Sequence, residues 1–332
     1  MPTDRSPHLT FLLPGETDLE SLRQLDPDRS ADRFVLGEHA WILQTYLRLA
    51  RAGATVELAT TPPERGWVVF HAGDRKLVAH LTRGHRDLIL VCARGDRHRV
   101  WYPDFEVVQN RASAGGNRFF VPHWPQPSLV PRDPGRGARL ENVVFVGFET
   151  NLDPAFTAPA WRERLATEGL SWRAHSTRYD AFLAGGPAPG WHDYTDVDAV
   201  LAVRPPSRSL HRRKPATKLY NAWLAGVPAL LGPELAYREL RRSDLDYFEV
   251  TTTDDALAAL RRLRDEPRLY ETVVENGRRR AEDFRPERLV ETWHATLAEM
   301  DRRWRRRSLL DRAVRRLRIG ILHLPGRRTR PA

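Results

Sequence analysis

At 332 residues, 41% of them hydrophobic and ten of them Trp, the chain can bury the cores of two ordinary domains, which excludes a disordered or low-complexity polypeptide. Its net charge of +10 is concentrated: residues 301–332 hold twelve Arg against two Asp, so the preceding 300 are close to neutral and the body is no nucleic-acid binder on charge alone. The single Cys92, inside the apolar run LILVCA, excludes an intrachain disulfide and a Cys-based metal site and fits a reducing cytoplasm.

No apolar run approaches the roughly 18 residues of a membrane-spanning helix. The first, Leu9 to Leu13, is too short for a signal peptide and reads as a strand. Gly37-Glu38-His39 then leads into AWILQTYLRLARAG, where Ile42, Leu43, Tyr46, Leu47, Leu49 and Ala50 form a helical stripe closed by Gly53. Thr55 to Leu58, Trp67 to Phe70, Leu88 to Ala93 and Phe105 to Gln109 read as further strands, which places His71 and Asp96 just past strand carboxyl ends. A proline-rich, aperiodic stretch follows (VPHWPQPSLVPRDPGRGAR), with the character of a domain crossover.

A second series begins with a strand at Val143 to Val146, a helix from Pro154 to Glu168, and strands at Ser171 to Ala174 and Ala199 to Val203. Next comes the most informative stretch, Arg204 to Leu240. It opens on a basic loop with Arg204, Arg208, His211, Arg212, Arg213 and Lys214. A short helix, Thr217 to Ala225, is stopped by Gly226, and Val227 to Leu231 reads as a buried strand. A late strand at Phe248 to Val250 precedes a helix capped by Asp254-Asp255 and running through Leu263. Another runs from Pro267 to near Phe284, and Pro286 to about Met300 is a last docking helix. The class is α/β with two Rossmann-like domains, 1–125 and 141–300, joined by a crossover at 126–140 and followed by an Arg-rich tail at 301–332. In such sheets ligands sit at the carboxyl ends of strands, and helix N-termini with nearby cations suit phosphate.

KPATKLYNAWLAGVPALLGPELAYREL resembles the carboxyl-domain signature of GT-B nucleotide-sugar glycosyltransferases. GEHAWILQTYLRLARAGATVEL is similar to their amino-domain counterpart, NVVFVGFETNLD to the first strand and loop of their second domain, and DDALAALRRLRDEPRLYETVVENGRRRAEDF to their closing helices. The run K-L-x-N-A-x-x-A-G-x-P-x-L-L-G also resembles bacterial fucosyltransferases of that fold. The resemblance implies two facing Rossmann-like domains, with the donor site on the carboxyl domain. It implies sugar transfer from a nucleotide-diphosphate donor to a glycan or lipid-linked acceptor hydroxyl, in cell-surface polysaccharide synthesis, without cofactor or metal. Two departures stand out. The Glu pair of many retaining members is replaced by Arg213 and Asn221, and Gly147 is followed by Phe148 and Glu149 rather than by a basic residue. A sugar-nucleotide epimerase and a non-catalytic binding module of the same fold are the other classes.

Within this frame Lys218, in the first turn of its helix, offers a compact cation to a departing diphosphate. It is one of three lysines in a chain that otherwise uses Arg. Arg204, Arg212, Arg213 and Lys214 are further phosphate ligands. Asn221, unfavourable inside a helix, needs a partner, either a buried hydrogen bond or the donor. Glu234 and Tyr237 follow a strand end, where they reach a sugar or ribose hydroxyl. The base that takes the acceptor proton comes from Glu38, His39, His71 and Asp96. Asp196-Val197-Asp198 has a metal-binding spacing but precedes a buried strand, and His71, His80, His85 and His98 lack the spacing of a zinc site, so no metal is expected. In the tail, Trp304, Leu309, Leu310, Ala313, Val314, Leu317 and Ile321 share one helical face with Arg on the other. Such a helix over residues 301–324 suits an anionic membrane surface, giving a cytoplasmic protein, peripheral at the inner face, with no nucleic-acid partner.

Overall fold

The computed structural model describes residues 8–186, 190–206 and 211–322. The chain forms two compact units. Among the described residues the first holds 8–27, 33–123 and 289–322, and the second holds 28–32 and 124–288.

The first unit is built on a six-stranded parallel sheet. Its strands are β1 (Leu9–Leu12), β2 (Val56–Ala59), β3 (Arg65–His71), β4 (Asp87–Ala93), β5 (Phe105–Val108) and β6 (Arg118–Phe120), ordered β2-β1-β3-β4-β5-β6. The near-continuous apolar composition of β1, β3 and β4 is that of strands covered on both faces. Parallel neighbours require crossovers. That between β1 and β2 carries α1 (Leu19–Arg23) and then a π-helical turn, His39–Leu43, running directly into α2 (Gln44–Arg51). The sequence predicts one regular helix here; the wider first turn is the difference, and such turns are frequent at functional sites. α3 (Arg75–Leu81) joins β3 to β4. Neither α3 nor the three-residue β6 is long enough to show a period in the sequence.

The second unit has five parallel strands: β7 (Asn142–Phe148), β8 (Ser171–Thr177), β9 (Ala199–Ala202), β10 (Ala229–Leu231) and β11 (Phe248–Glu249), ordered β11-β10-β9-β7-β8. Its helices are α4 (Pro159–Thr167), α5 (Tyr179–Leu183), α6 (Thr217–Ala225), α7 (Leu235–Leu240), α8 (Thr253–Asp265) and α9 (Pro267–Ala281). Gly226, at φ +74°, closes α6 in the left-handed conformation that glycine tolerates best. α6 lies against α9, where Gly277 leaves room for the Trp223 ring; a Cβ there would fall 2.9 Å from Trp223 Cδ1. Two local expectations change. The helix predicted from Pro154 splits into a 3₁₀ turn and α4, and the cap of α8 is Thr252, in a reciprocal capping box with Asp255.

The last helices belong to the first unit. The second unit ends at Arg288, so residues 289–300, predicted within the second domain, pack with the first. α10 (Pro286–Arg305) buries Leu289, Trp293 and Met300; Trp304 meets Trp67 at 6.3 Å, and Arg303 lies over the Phe119 ring and donates to Gly116 O at 2.7 Å. The tail is not one helix. Ser308 and Asp311 form a second reciprocal cap, and α11 (Leu309–Leu322) starts afresh. No helix among the described residues is long and apolar enough to cross a membrane.

The Pro-rich crossover is pinned rather than loose. Asp198, fully buried, accepts from Arg132 Nη2 and Arg136 Nη2, both at 2.7 Å, and from the amides of Glu141 and Asn142 at 2.9 Å. Burial opposes its ionisation, but these four partners outweigh it and hold the carboxyl below its usual range. Asp196 is paired with Arg173 at 2.6 Å. The two aspartates of the metal-like spacing are therefore structural. Asp198→Ala strands two guanidinium groups and is expected to cost about 3–5 kcal/mol in urea unfolding at pH 7. The wild-type advantage should fade as pH falls below the carboxylate range, where Asp198 protonates.

Candidate functional sites at the two strand-order reversals

Both sheets start on an interior strand. β1 has β2 on one side and β3 on the other; β7 has β8 and β9. The chain leaves in opposite directions on the two sides, and a crevice opens outside the strand carboxyl ends at that point. Each unit places chemistry-bearing side chains there.

In the first unit, Glu38 lies in the connection after β1 and His71 ends β3. Glu38 Oε1 and His71 Nδ1 are 3.1 Å apart, and the Gly73 amide also lies 3.1 Å from Nδ1. One nitrogen cannot donate to the carboxylate and accept from the amide at once. His71 and other nearby donors hold Glu38 down to about 2, so it is ionised, which favours the proton on Nδ1. Three glycines from three loops make room for the ring. A Cβ on Gly37 would fall 2.9 Å from His71 Cε1, on Gly73 2.9 Å from Nδ1 and 2.3 Å from Glu38 Oε1, and on Gly95 3.1 Å from Nε2. The imidazole is 3% exposed, so the solvent side of the group is carboxylate: Glu38 and Asp74 are half-buried. Asp74, which sequence reading does not single out, is pushed up to about 6, by burial and then by the Glu38 charge, against the pull of His71 and Arg97. Ligand atoms of Glu38, His71 and Asp74 lie within 4.8 Å of one another, a set that also suits a divalent cation. The absence of helical His spacing hides this group, since its members come from separate loops.

The other amino-unit candidates lie elsewhere. His39 is held at both nitrogens, by Glu16 Oε1 at 2.6 Å and the Arg33 carbonyl at 2.9 Å. Asp96 is exposed in the loop after β4.

In the second unit the centre is Lys218, at the start of α6. Its Nζ packs against Gly147 near the carboxyl end of β7, where an added Cβ would lie 3.0 Å from it, and stands 5.3 Å from the Phe145 ring centroid. The cation absent from the loop after β7 is thus brought in from α6. Desolvation first, then the Arg204 charge, depress the half-buried ammonium to about 7, with Glu234 opposing and Lys214 adding to the depression. Arg204, after β9, is 9% exposed and committed to buried Glu234 at 3.0 Å; it also donates to Asn151 Oδ1. Tyr237 is fully buried beside Tyr247, its hydroxyl pushed well above the usual range by that burial. Arg204 and Glu234 are thus a buried ion pair whose two charges act on Lys218 in opposite directions. Asn221 accepts from the Gln126 amide at 3.0 Å, the buried hydrogen bond its helical position calls for. Arg212 is exposed and Arg213 and Lys214 half-buried around a 3₁₀ turn before α6; Arg208 lies outside the described residues.

No protein-family model and no curated protein matches the chain. Solved structures do. HepE from Anabaena in complex with UDP and glucose aligns with a TM-score of 0.53 at 12% identity, over 88% of this chain and 100% of that one. Its complex with UDP-glucose gives 0.51 at the same identity and coverage. The fold is GT-B. TarM aligns with a TM-score of 0.48 at 8% identity, over 70% of this chain; the chain spans 54% of TarM's length.

Two titrations follow from these sites. Asp74 keeps its proton in the folded state up to about pH 6, so its contribution to stability is present below the ordinary carboxylate range and lost as pH rises through 6. Asp74→Asn is expected to stabilise the protein at pH 8 and not at pH 4, measured by chemical unfolding. For Lys218, neutral for the most part at pH 8, a bound diphosphate restores the charge. Were a diphosphate to bind beside Lys218 at that pH, close to one proton would be taken up, read as a dependence of the calorimetric enthalpy on buffer ionisation enthalpy, and Lys218→Arg would abolish the dependence.

Proposed function

We infer that the protein is a glycosyltransferase that moves a hexosyl or deoxyhexosyl group from a nucleotide-diphosphate sugar to a hydroxyl of a glycan or lipid-linked acceptor, in cell-surface polysaccharide synthesis. The observation that carries this reading is Lys218. A partly desolvated lysine beside Gly147, at a strand-order reversal and one residue into a helix, is suited to the charge that develops on a departing diphosphate. The GT-B fold and the UDP and glucose bound to HepE support a donor of this type.

The first unit by itself carries a group with acid–base chemistry, Glu38, His71 and Asp74. His71 is buried and Glu38 is too acidic to hold a proton near neutrality, which leaves half-exposed Asp74 as the base. In the transfer the acceptor oxygen attacks the anomeric carbon and gives its proton to a base, a role for which the ionised Asp74 carboxylate is chemically suited. The bond from that carbon to the phosphate oxygen breaks, and the nucleoside diphosphate leaves against Lys218. A single displacement of this kind inverts the sugar carbon, in keeping with the missing Glu pair.

The test is release of nucleoside diphosphate from UDP-, GDP- and ADP-sugars, with and without glycan acceptors. Lys218→Ala should lower kcat by about 10²–10³-fold with the fold retained. Asp74→Asn should abolish transfer while keeping UDP binding, and the wild-type rate should climb through about pH 6 as Asp74 ionises. An epimerised donor with no transfer product would identify an epimerase; nucleotide binding without turnover would identify a binding module. A second reading rests on the ligand atoms of Glu38, His71 and Asp74: loss of activity on chelation, restored by a divalent cation, would make the group a metal site.

A further inference from the structure

α11 meets the first unit through its basic face. Asp104, 2% exposed and oriented by the Leu90 amide at 3.0 Å, receives Arg318 Nη2 at 2.6 Å and Arg315 Nε at 2.9 Å, with Arg307 Nη1 at 3.5 Å. Arg315 also donates to the Leu88 carbonyl. Three guanidinium groups around one carboxylate leave positive charge in excess where the arginines are 11–25% exposed. Burial holds Arg307 and Arg318 below the usual arginine value, and Arg307 Nη1 has only the 3.5 Å ion pair with Asp104. Uncompensated charge of this kind is costly unless an anion joins it.

The place for one is open. Arg86, Arg307, Arg312, Arg315, Arg316 and Trp304 line a cavity of about 1020 Å³, with Asp87 the carboxylate in its wall. Arg307 and Arg315 also stack on the Trp304 ring, at 3.8 and 4.9 Å, which fixes their guanidinium planes at the cavity wall. On its outer side α11 shows Leu309 (83% exposed), Leu310, Val314, Leu317 (68% exposed) and Ile321, a stripe at helical spacing with exposed Arg312 and Arg316 beside it. Arg86 and Asp87 stand at the amino end of β4. Its other end pairs Ala93 with His71, about 20 Å away along seven residues. The surface is therefore remote from Glu38, His71 and Asp74.

We propose that α11 and the Arg-lined cavity beside it are the docking site of this chain for an anionic bilayer, with the apolar stripe entering the acyl boundary and a lipid phosphate occupying the cavity. Charge selects the occupant. Residues 301–322 carry nine Arg against two Asp, so a second copy would bring the same repelling charge to the same face. A nucleic acid would satisfy the arginines and leave five apolar side chains in water. An anionic lipid surface answers both, and its strength grows with apolar area and basic residues together.

The experiment is co-sedimentation of the full chain with vesicles of phosphatidylcholine alone and of phosphatidylcholine with phosphatidylglycerol. Binding is expected to the mixed vesicles only and to weaken with salt. Leu309→Glu/Leu317→Glu and, separately, Arg312→Glu/Arg316→Glu should each weaken it by about tenfold or more. All four positions are exposed, so both variants should keep the wild-type Tm and UDP affinity. The proposal is overturned by equal binding to neutral vesicles, by no binding to either, or by wild-type binding in both variants. It is also overturned by a wild-type dimer that Leu309→Glu/Leu317→Glu turns into a monomer, or by RNA binding that both variants lose while vesicle binding persists.

Discussion

The order of strands in each sheet is the constraint on which the rest depends. A parallel sheet covered on both faces has no room for polar chemistry along its strands, so the loops at one edge must carry it. The reversal beside β1 and the reversal beside β7 decide which loops those are. Glu38 and His71 reach the first because the chain leaves β1 one way and β3 the other. Gly147 and Arg204 reach the second for the same reason, and Lys218 joins them because α6 begins there.

Strands such as β3, β4 and β7 were legible because burial on both faces makes them apolar without interruption, and α2, α6, α8 and α9 because each has a stripe, a cap or a stop. What escaped was short or distant. α3 and β6 have too few residues to show a period. The pairing of Glu38 with His71 spans 33 residues and that of Lys218 with Gly147 spans 71, and no local pattern encodes either. Asp74 looks like any loop aspartate until Glu38 stands next to it. Arg204, Glu234 and Tyr237 each read as a ligand because nothing local shows that they are buried together. Asn221 shows the boundary well: its need for a partner is readable from helix propensity, and the partner, the Gln126 amide, is not. In the tail, composition reveals two faces. Which one docks depends on Asp104, about two hundred residues earlier.

The chain carries fifty arginines and three lysines, and the structure shows what the arginines do. Asp198 and Asp246 are buried carboxylates, the first satisfied by two guanidinium groups and the second by one, together with backbone amides. A planar fork supplies several donors in fixed geometry, so one arginine can tie a carboxylate and a carbonyl at once, as Arg132 does with Asp198 and Gly137 O. Around Asp104 the same device is carried past neutrality. Lys218 differs: it is a point charge that burial weakens.

The return of α10 and α11 makes the first unit discontinuous along the chain, with nearly all of the second unit, residues 124–288, inserted before its last helices. During synthesis the second unit is finished while the first still lacks Leu289, Trp293 and Met300 for its core. A protein of this order matures from the middle outwards: its central segment can settle as an autonomous body on the ribosome, whereas the amino-terminal sheet must wait, its apolar face in need of chaperoning, until the last helices emerge. Truncation from the carboxyl end would then be felt first not in the neighbouring residues of the sequence but in the part of the protein that was made earliest.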